Sequence, residues 1–237
     1  QDSHCAAWAG QFYAGESRQF NYLDASLYSG QLGIIWFLAY LGEVTQDKKY
    51  QNLATKGMRF CLDTLLQYQI LQPAIGLFDG LGSYLYVLSH LQQLIPDQSY
   101  QTDINKISSL LSEKIHQDEQ LDIVGGTAGC LIALQSVYAV APSEKILKLC
   151  QICGDKLLAS AQKVNGGMAW TIPSQQSPLA GLSHGASGIT IALSRLSEIL
   201  VTDRYLSAIE QGVTFENSLF TAKQGNWFDA RNTSNNN

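Results

Sequence analysis

The sequence predicts an all-α fold built from repeated helix pairs, and two regularities and one absence predict it. First, four segments set a glycine turn ahead of an apolar run: Ser29-Gly30-Gln31-Leu32-Gly33-Ile34, Asp79-Gly80-Leu81-Gly82-Ser83-Tyr84, Gly125-Gly126-Thr127-Ala128-Gly129-Cys130 and His184-Gly185-Ala186-Ser187-Gly188-Ile189. Their anchors Gly30, Gly80, Gly126 and Gly185 lie 50, 46 and 59 residues apart, a spacing that marks a repeat architecture. Second, a further helical stretch lies between successive turns. Third, no convincing run of alternating polar and apolar residues argues for a strand.

Each element has its own justification. After the first turn, Ile34, Phe37, Leu38 and Leu41 keep a helix period, as Ile189, Leu193, Leu196 and Leu200 do after the fourth. Paired glycines suit a turn that opens directly into a closely packed helix. The intervening helices carry the stripes Tyr50, Leu53, Ala54, Gly57, Cys61 and Ile146, Leu149, Cys150, Cys153, Leu157, with Leu206, Ile209 and Val213 beginning a third. Thr45–Tyr50 and Val201–Tyr205 read as polar entries to such helices. Helix pairs repeated in this way form an open solenoid or a closed α/α toroid. In a toroid the turns gather at one end, and the residues before the anchors (Ser29, Asp79, Gly125 and His184) face a shared central cavity. A closed ring takes about six pairs and about four are present, so residues 1–237 are expected to form one incomplete toroid domain. The polar end 232–237 is expected to be disordered, and the Gly-, Pro-, Ser- and Gln-rich stretch 165–181 to be a functional or disordered loop that delivers the chain to His184.

Composition bounds the function. At 46% hydrophobic residues the chain buries a sizeable core, which excludes general disorder. Fifteen Lys and Arg against twenty Asp and Glu, a net charge of −5, leave no basic footprint for nucleic acid. No apolar run reaches the length of a transmembrane helix, and the first residues lack a signal-peptide pattern. Five cysteines in no paired pattern read as cytoplasmic thiols. The absence of an initiator Met and the abrupt polar end suggest a piece of a longer protein.

His184 is the leading catalytic candidate. It precedes a helix N-terminus, where the dipole favours neutral imidazole, suited to proton transfer; the competing reading is a structural histidine in a glycine turn. Asp122, ahead of the third turn, could orient an imidazole or accept a proton, or could serve only as a turn or cap residue. Asp79 holds the matching place in the second repeat, with capping again the alternative. Cys150 and Cys153 form a CxxC, but both fall on an apolar stripe and read as core; Cys5, Cys61 and Cys130 read as small buried hydrophobes. His90 and His116 have no partner at metal-ligand spacing. Trp227 and Arg231, in Gly225-Asn226-Trp227-Phe228-Asp229-Ala230-Arg231, could line a peptide-binding mouth or simply anchor a loop.

Taken together, these motifs resemble the lanthionine synthetase C-like family. Gly181-Leu182-Ser183-His184-Gly185-Ala186-Ser187-Gly188-Ile189 resembles its Gly-x-x-His-Gly-x-x-Gly signature, in the version found in the C-terminal cyclase domain of class II lanthipeptide synthetases (LanM). Leu27–Leu41, Phe78–Gly82 and Leu121–Gly129 resemble the other three turns, and Asn226–Arg231 the segment ahead of the zinc motifs, so the likeness spans roughly residues 22–231. Ser83 stands where a second turn glycine is expected. The resemblance implies an α/α toroid that adds cysteine thiols of a lanthipeptide precursor to dehydroalanine or dehydrobutyrine, with His184 and Asp122 in the proton-handling roles. It also implies a dehydratase domain upstream, and Zn²⁺ in the full-length domain. The family's ligands, a Cys and a later Cys-His pair, have no counterpart among these cysteines, so this chain is expected to hold no zinc and to be inactive alone. Two alternatives stand beside this reading: a metal-free module that binds a precursor peptide, and a carbohydrate-active α/α toroid using Asp79 and Asp122 as a carboxylate pair.

Overall fold

The structure, a computed structural model, describes residues 4–14, 17–67, 74–164, 166–173 and 175–231. Eight α-helices in four pairs dominate it: α1 (Gln31–Thr45) with α2 (Lys48–Gln67), α3 (Leu81–Leu94) with α4 (Gln101–Lys114), α5 (Thr127–Val140) with α6 (Glu144–Ser160), and α7 (Ala186–Leu200) with α8 (Leu206–Ser218). The odd-numbered helices form an inner row in which α1 packs on α3, α3 on α5 and α5 on α7; the even-numbered helices lie behind them. This is an arc of an α/α toroid that does not close. The polar end 232–237 lies outside the described residues.

All four predicted anchors are the residues that open the inner helices: Gly30, Gly80, Gly126 and Gly185 are the N-caps of α1, α3, α5 and α7. The second glycine of each turn has a steric reason. A Cβ on Gly33, Gly82, Gly129 or Gly188 would strike the carbonyl oxygen of Leu27, Gly76, Ile123 or Leu182, in each case six residues earlier. The incoming chain therefore lies against the first helical turn. Gly82 fills this role in the second repeat, so Ser83 replaces no turn glycine; the cap is shifted by one residue and Gly80 takes φ +118°, a conformation that favours glycine.

The turns are stitched side by side. Leu27 N–H donates to the Phe78 carbonyl; Ile75 and Gly76 donate to Gly125, Leu77 to Ile123, and Phe78 and Asp79 to Val124. The core runs between the helix rows and includes Leu32, Leu85, Leu134 and Leu193 from the inner helices, with Leu157 from α6.

Several expectations need correction. The α6 stripe is buried as read, with its helix capped by the Ser143 hydroxyl accepting from Ile146 N–H. On α1, however, Phe37 is exposed, while Leu32, Ile35, Leu38 and Ala39 are buried. On α2, Leu53 faces outward and Met58, Leu62 and Leu65 turn inward. On α8 the buried face is Ala208, Gly212, Phe215 and Glu216, and Leu206 and Val213 are exposed. Strands also exist. Three two-stranded antiparallel ribbons pair β1 (Ala9–Ala14) with β2 (Ser17–Tyr22), β3 (Gln162–Val164) with β4 (Gly167–Ala169), and β5 (Phe220–Thr221) with β6 (Asn226–Trp227). β2 is exposed along its whole length, so no alternation of burial marks it. In the stretch before His184, Trp170, Ile172 and Leu179 are buried, with the Trp170 indole donating to the Leu157 carbonyl at 2.7 Å.

Candidate functional site

The site forms where the turns meet. In the third turn, Asp118 Oδ2 accepts from the backbone N–H of Leu121 and Thr127 and from the Thr127 hydroxyl, closing the loop on itself. Leu121 is held at φ +59°, an uncommon conformation for a branched side chain, and the next residue is Asp122. The Asp122 carboxylate is buried and both its oxygens are engaged. Oδ1 accepts from Gly125 N–H at 2.9 Å, and Oδ2 lies 2.6 Å from His184 Nδ1. An ionised carboxylate has only acceptors, so the ring nitrogen facing it carries the proton. In the neutral ring, Nε2 is then left with its lone pair. The His184 side chain is 43% exposed and Asp122's 4%, so the imidazole reaches solvent from a fixed, buried support.

His184 stands one residue before the cap of α7, at the junction of three cavities. The largest, about 810 Å³, is bounded by the His184 turn, by Thr190 and Glu216, and by the Trp227–Arg231 loop. A second, about 440 Å³, is lined by Asp24, Ser29, Tyr28, Phe78 and Asp79. A third, about 480 Å³, lies between Asp122, Gln176 and Arg231. The Arg231 guanidinium holds Asp229 with two hydrogen bonds, at 2.9 and 2.8 Å, and its backbone N–H adds a third, while the residue lines two of the cavities.

The sequence-predicted residues thus gather as follows. His184 and Asp122 are in direct contact. Trp227 and Arg231 line a cavity shared with His184. Ser29 and Asp79 line another with it, but Gly125 does not. Asp79 is exposed and caps nothing: Gly80 is the cap of α3 and has no side-chain bond. Asp79 and Asp122 do not form an open carboxylate pair, since they line different cavities and both Asp122 oxygens are engaged. The CxxC is core: Cys150 and Cys153 are fully buried, and Cys153 contacts Cys130 sulfur to sulfur at 3.9 Å. His90 lies within α3, where the Tyr40 hydroxyl and its Nδ1 share a hydrogen bond of 2.7 Å and burial lowers its pKa.

Glu216 escaped the sequence reading. It is buried on α8, and its Oε1 accepts from both Gly181 N–H and Ser187 N–H. Its signal was a charged residue in register with Ala208, Gly212 and Phe215, which the misassigned α8 stripe hid.

A helical arc whose turn ends present a carboxylate-anchored imidazole to open cavities defines an α/α-toroid protein with a candidate site at its turn end. More particularly, the sequence matches the model of the lanthionine synthetase C-like protein family over residues 21–237, and the chain belongs to that family. Among solved structures it is similar to one described as nisin cyclase, with a TM-score of 0.70 and 18% identity. That alignment covers 88% of this chain and 56% of the other, so the chain spans little more than half the length of that structure. A search of the curated proteins returns no match. The zinc that the family resemblance implies finds no fitting ligand set here. Among the described residues no three His, Cys, Asp or Glu side chains form a group that could hold a metal ion, and Cys61, Cys130, Cys150 and Cys153 are buried in the core and line none of the three cavities. No helix among the described residues is long and apolar enough to cross a membrane.

Proposed function

We propose that this chain is part of a lanthionine synthetase cyclase domain, which adds cysteine thiols of a precursor peptide to dehydroalanine or dehydrobutyrine. The observation that supports the reading is the 2.6 Å contact between His184 Nδ1 and Asp122 Oδ2, with His184 in the turn whose sequence resembles the family's histidine signature. In this reaction a peptide thiolate forms a C–S bond to the β-carbon. The alkene electron pair moves to an enolate, and a proton is delivered to the α-carbon, so the thiol's proton is restored and no oxidant is needed. His184 Nε2 carries that proton, with Asp122 holding the ring and balancing the imidazolium. Asp79, Trp227 and Arg231 hold the peptide.

The finer reading is of a class II synthetase acting in the cytoplasm, with a dehydratase domain in the same polypeptide. Zinc is then held by sequence outside these 237 residues, and the chain alone is inactive; no step here is drawn through the metal. The test is His184→Ala in a full-length synthetase carrying this domain. Ring closure does not change peptide mass, so uncyclised thiols are counted by maleimide alkylation. The variant is expected to leave alkylatable thiols on a fully dehydrated peptide; complete cyclisation at the wild-type rate would end this reading.

A further inference from the structure

We propose that Glu216 is the positioning residue of the His184 turn, fixing its backbone while Asp122 fixes the imidazole. This rests on the reading of His184 as the proton-handling residue.

Glu216 comes from α8, the helix behind α7, yet its carboxylate reaches the turn ahead of α7. A single oxygen, Oε1, accepts from Gly181 N–H at 2.8 Å and from Ser187 N–H at 2.7 Å. These donors lie three residues before and three residues after His184. One acceptor drawing both ends together sets the chord of the loop, and the chord sets where the histidine Cα stands. Gly181 has φ +100°, so the bend at its end of the chord is one that glycine takes readily. Ser187 is in the first turn of α7, so the carboxylate also meets the positive end of that helix.

Glu216 is only 8% exposed, and it takes part in no ion pair among the described residues. A carboxylate is rarely buried unless its charge is compensated. Here the compensation is two amides of the candidate catalytic turn, which sets Glu216 apart from Glu210, the exposed acid of the same helix. The residue also lines the 810 Å³ cavity, and its helix leads through β5 and β6 into the Trp227–Arg231 loop. One helix therefore ties the histidine turn to another part of the same cavity's wall.

Two properties of Glu216 can be separated. Glu216→Gln keeps the reach and the acceptor oxygen but removes the charge. Glu216→Asp keeps the charge but falls short by one methylene. Glu216→Ala removes both bonds. The readout is the low-field proton resonance of His184 Nδ1–H against Asp122, measured on this chain and assigned by its disappearance in His184→Gln. It needs no turnover. Positioning predicts that the resonance persists in the glutamine variant. In the aspartate and alanine variants its exchange with solvent is expected to accelerate at least about tenfold, while the helical circular dichroism is retained. An unchanged resonance in the alanine variant overturns the proposal. If that variant does not fold, the glutamine and aspartate variants decide: loss in the glutamine variant, or retention in the aspartate variant, overturns it. Should the resonance obey these expectations while His184→Ala cyclises normally, the cyclase reading falls and the positioning role stands.

Discussion

Replacing Asp122 by Asn tests the site's electrostatics with almost no change of shape. In the native arrangement Oδ1 accepts from Gly125 N–H and Oδ2 faces His184 Nδ1 at 2.6 Å. If the Asn carbonyl keeps the Gly125 bond, its NH₂ faces the imidazole. Nδ1 must then accept, so the ring's proton moves to Nε2 and the lone pair aimed at the cavities is lost. If the amide flips, Gly125 N–H meets an NH₂ and a buried donor goes unpaired. Each route forfeits a hydrogen bond to a charged group, about 1.5–3 kcal/mol, or about 10- to 150-fold in population. Cyclisation in the full synthetase is expected to slow by at least about tenfold, as substitution of the supporting carboxylate does in other imidazole sites. The ring's ¹⁵N shifts in this chain are expected to report proton transfer from Nδ1 to Nε2. A variant with the native tautomer and a rate within about twofold of wild type would refute the argument.

Three further outcomes follow from the packing. Trp170→Ala opens a cavity beneath α8 and strips a donor from the Leu157 carbonyl, so it should cost about 3–5 kcal/mol and lower the urea midpoint by about 1–2 M; a shift under about 0.5 M would contradict the packing assigned to it. Burial pushes the Cys61 thiol up to about 12 and raises those of Cys150 and Cys153 as well, so iodoacetamide at neutral pH should leave all three unmodified until urea unfolds the chain; prompt labelling of Cys61 in the folded protein would refute this. Burial lowers the His90 pKa below its ordinary 6.5, so on acidification the unfolded chain takes up the proton first. Stability should therefore decline as pH falls below about 6.5 and through the lower folded-state value, and His90→Phe should flatten that part of the melting-temperature profile.

The turns were legible in the sequence because each needs glycine for a steric reason that no other residue meets. The α6 face was legible because its stripe is apolar on one side only. The inner helix α1 is apolar nearly all round, so periodicity could not choose between Phe37 and Ile35 for the core. Gln31 looks like a surface residue, yet it is buried because its amide bonds Trp8, 23 residues away, through both N–H and carbonyl, and also reaches the Leu23 carbonyl. The site divides in the same way. His184 and Asp122 stood out within their motifs, but their contact joins positions 62 residues apart, and Glu216 lies 35 residues from Gly181. No local pattern carries such pairings; they arise from stacking α7 onto α5 and α8 onto α7.

The stitching of the first three turns has a consequence for how such proteins diverge. Main-chain bonds from Leu27 to Phe78, and from Ile75–Asp79 to Ile123–Gly125, do not depend on which side chains the partners carry. Mutations can accumulate along those turns without untying them, provided the crowded glycines are spared. An identity of 18% beside a TM-score of 0.70 is what such tolerance allows. The tie from the third turn to the fourth differs, since Asp122 and His184 join through their side chains. Drift is therefore expected to be silent on one side of the arc and coupled on the other, so that homologues which lose the aspartate also change the histidine.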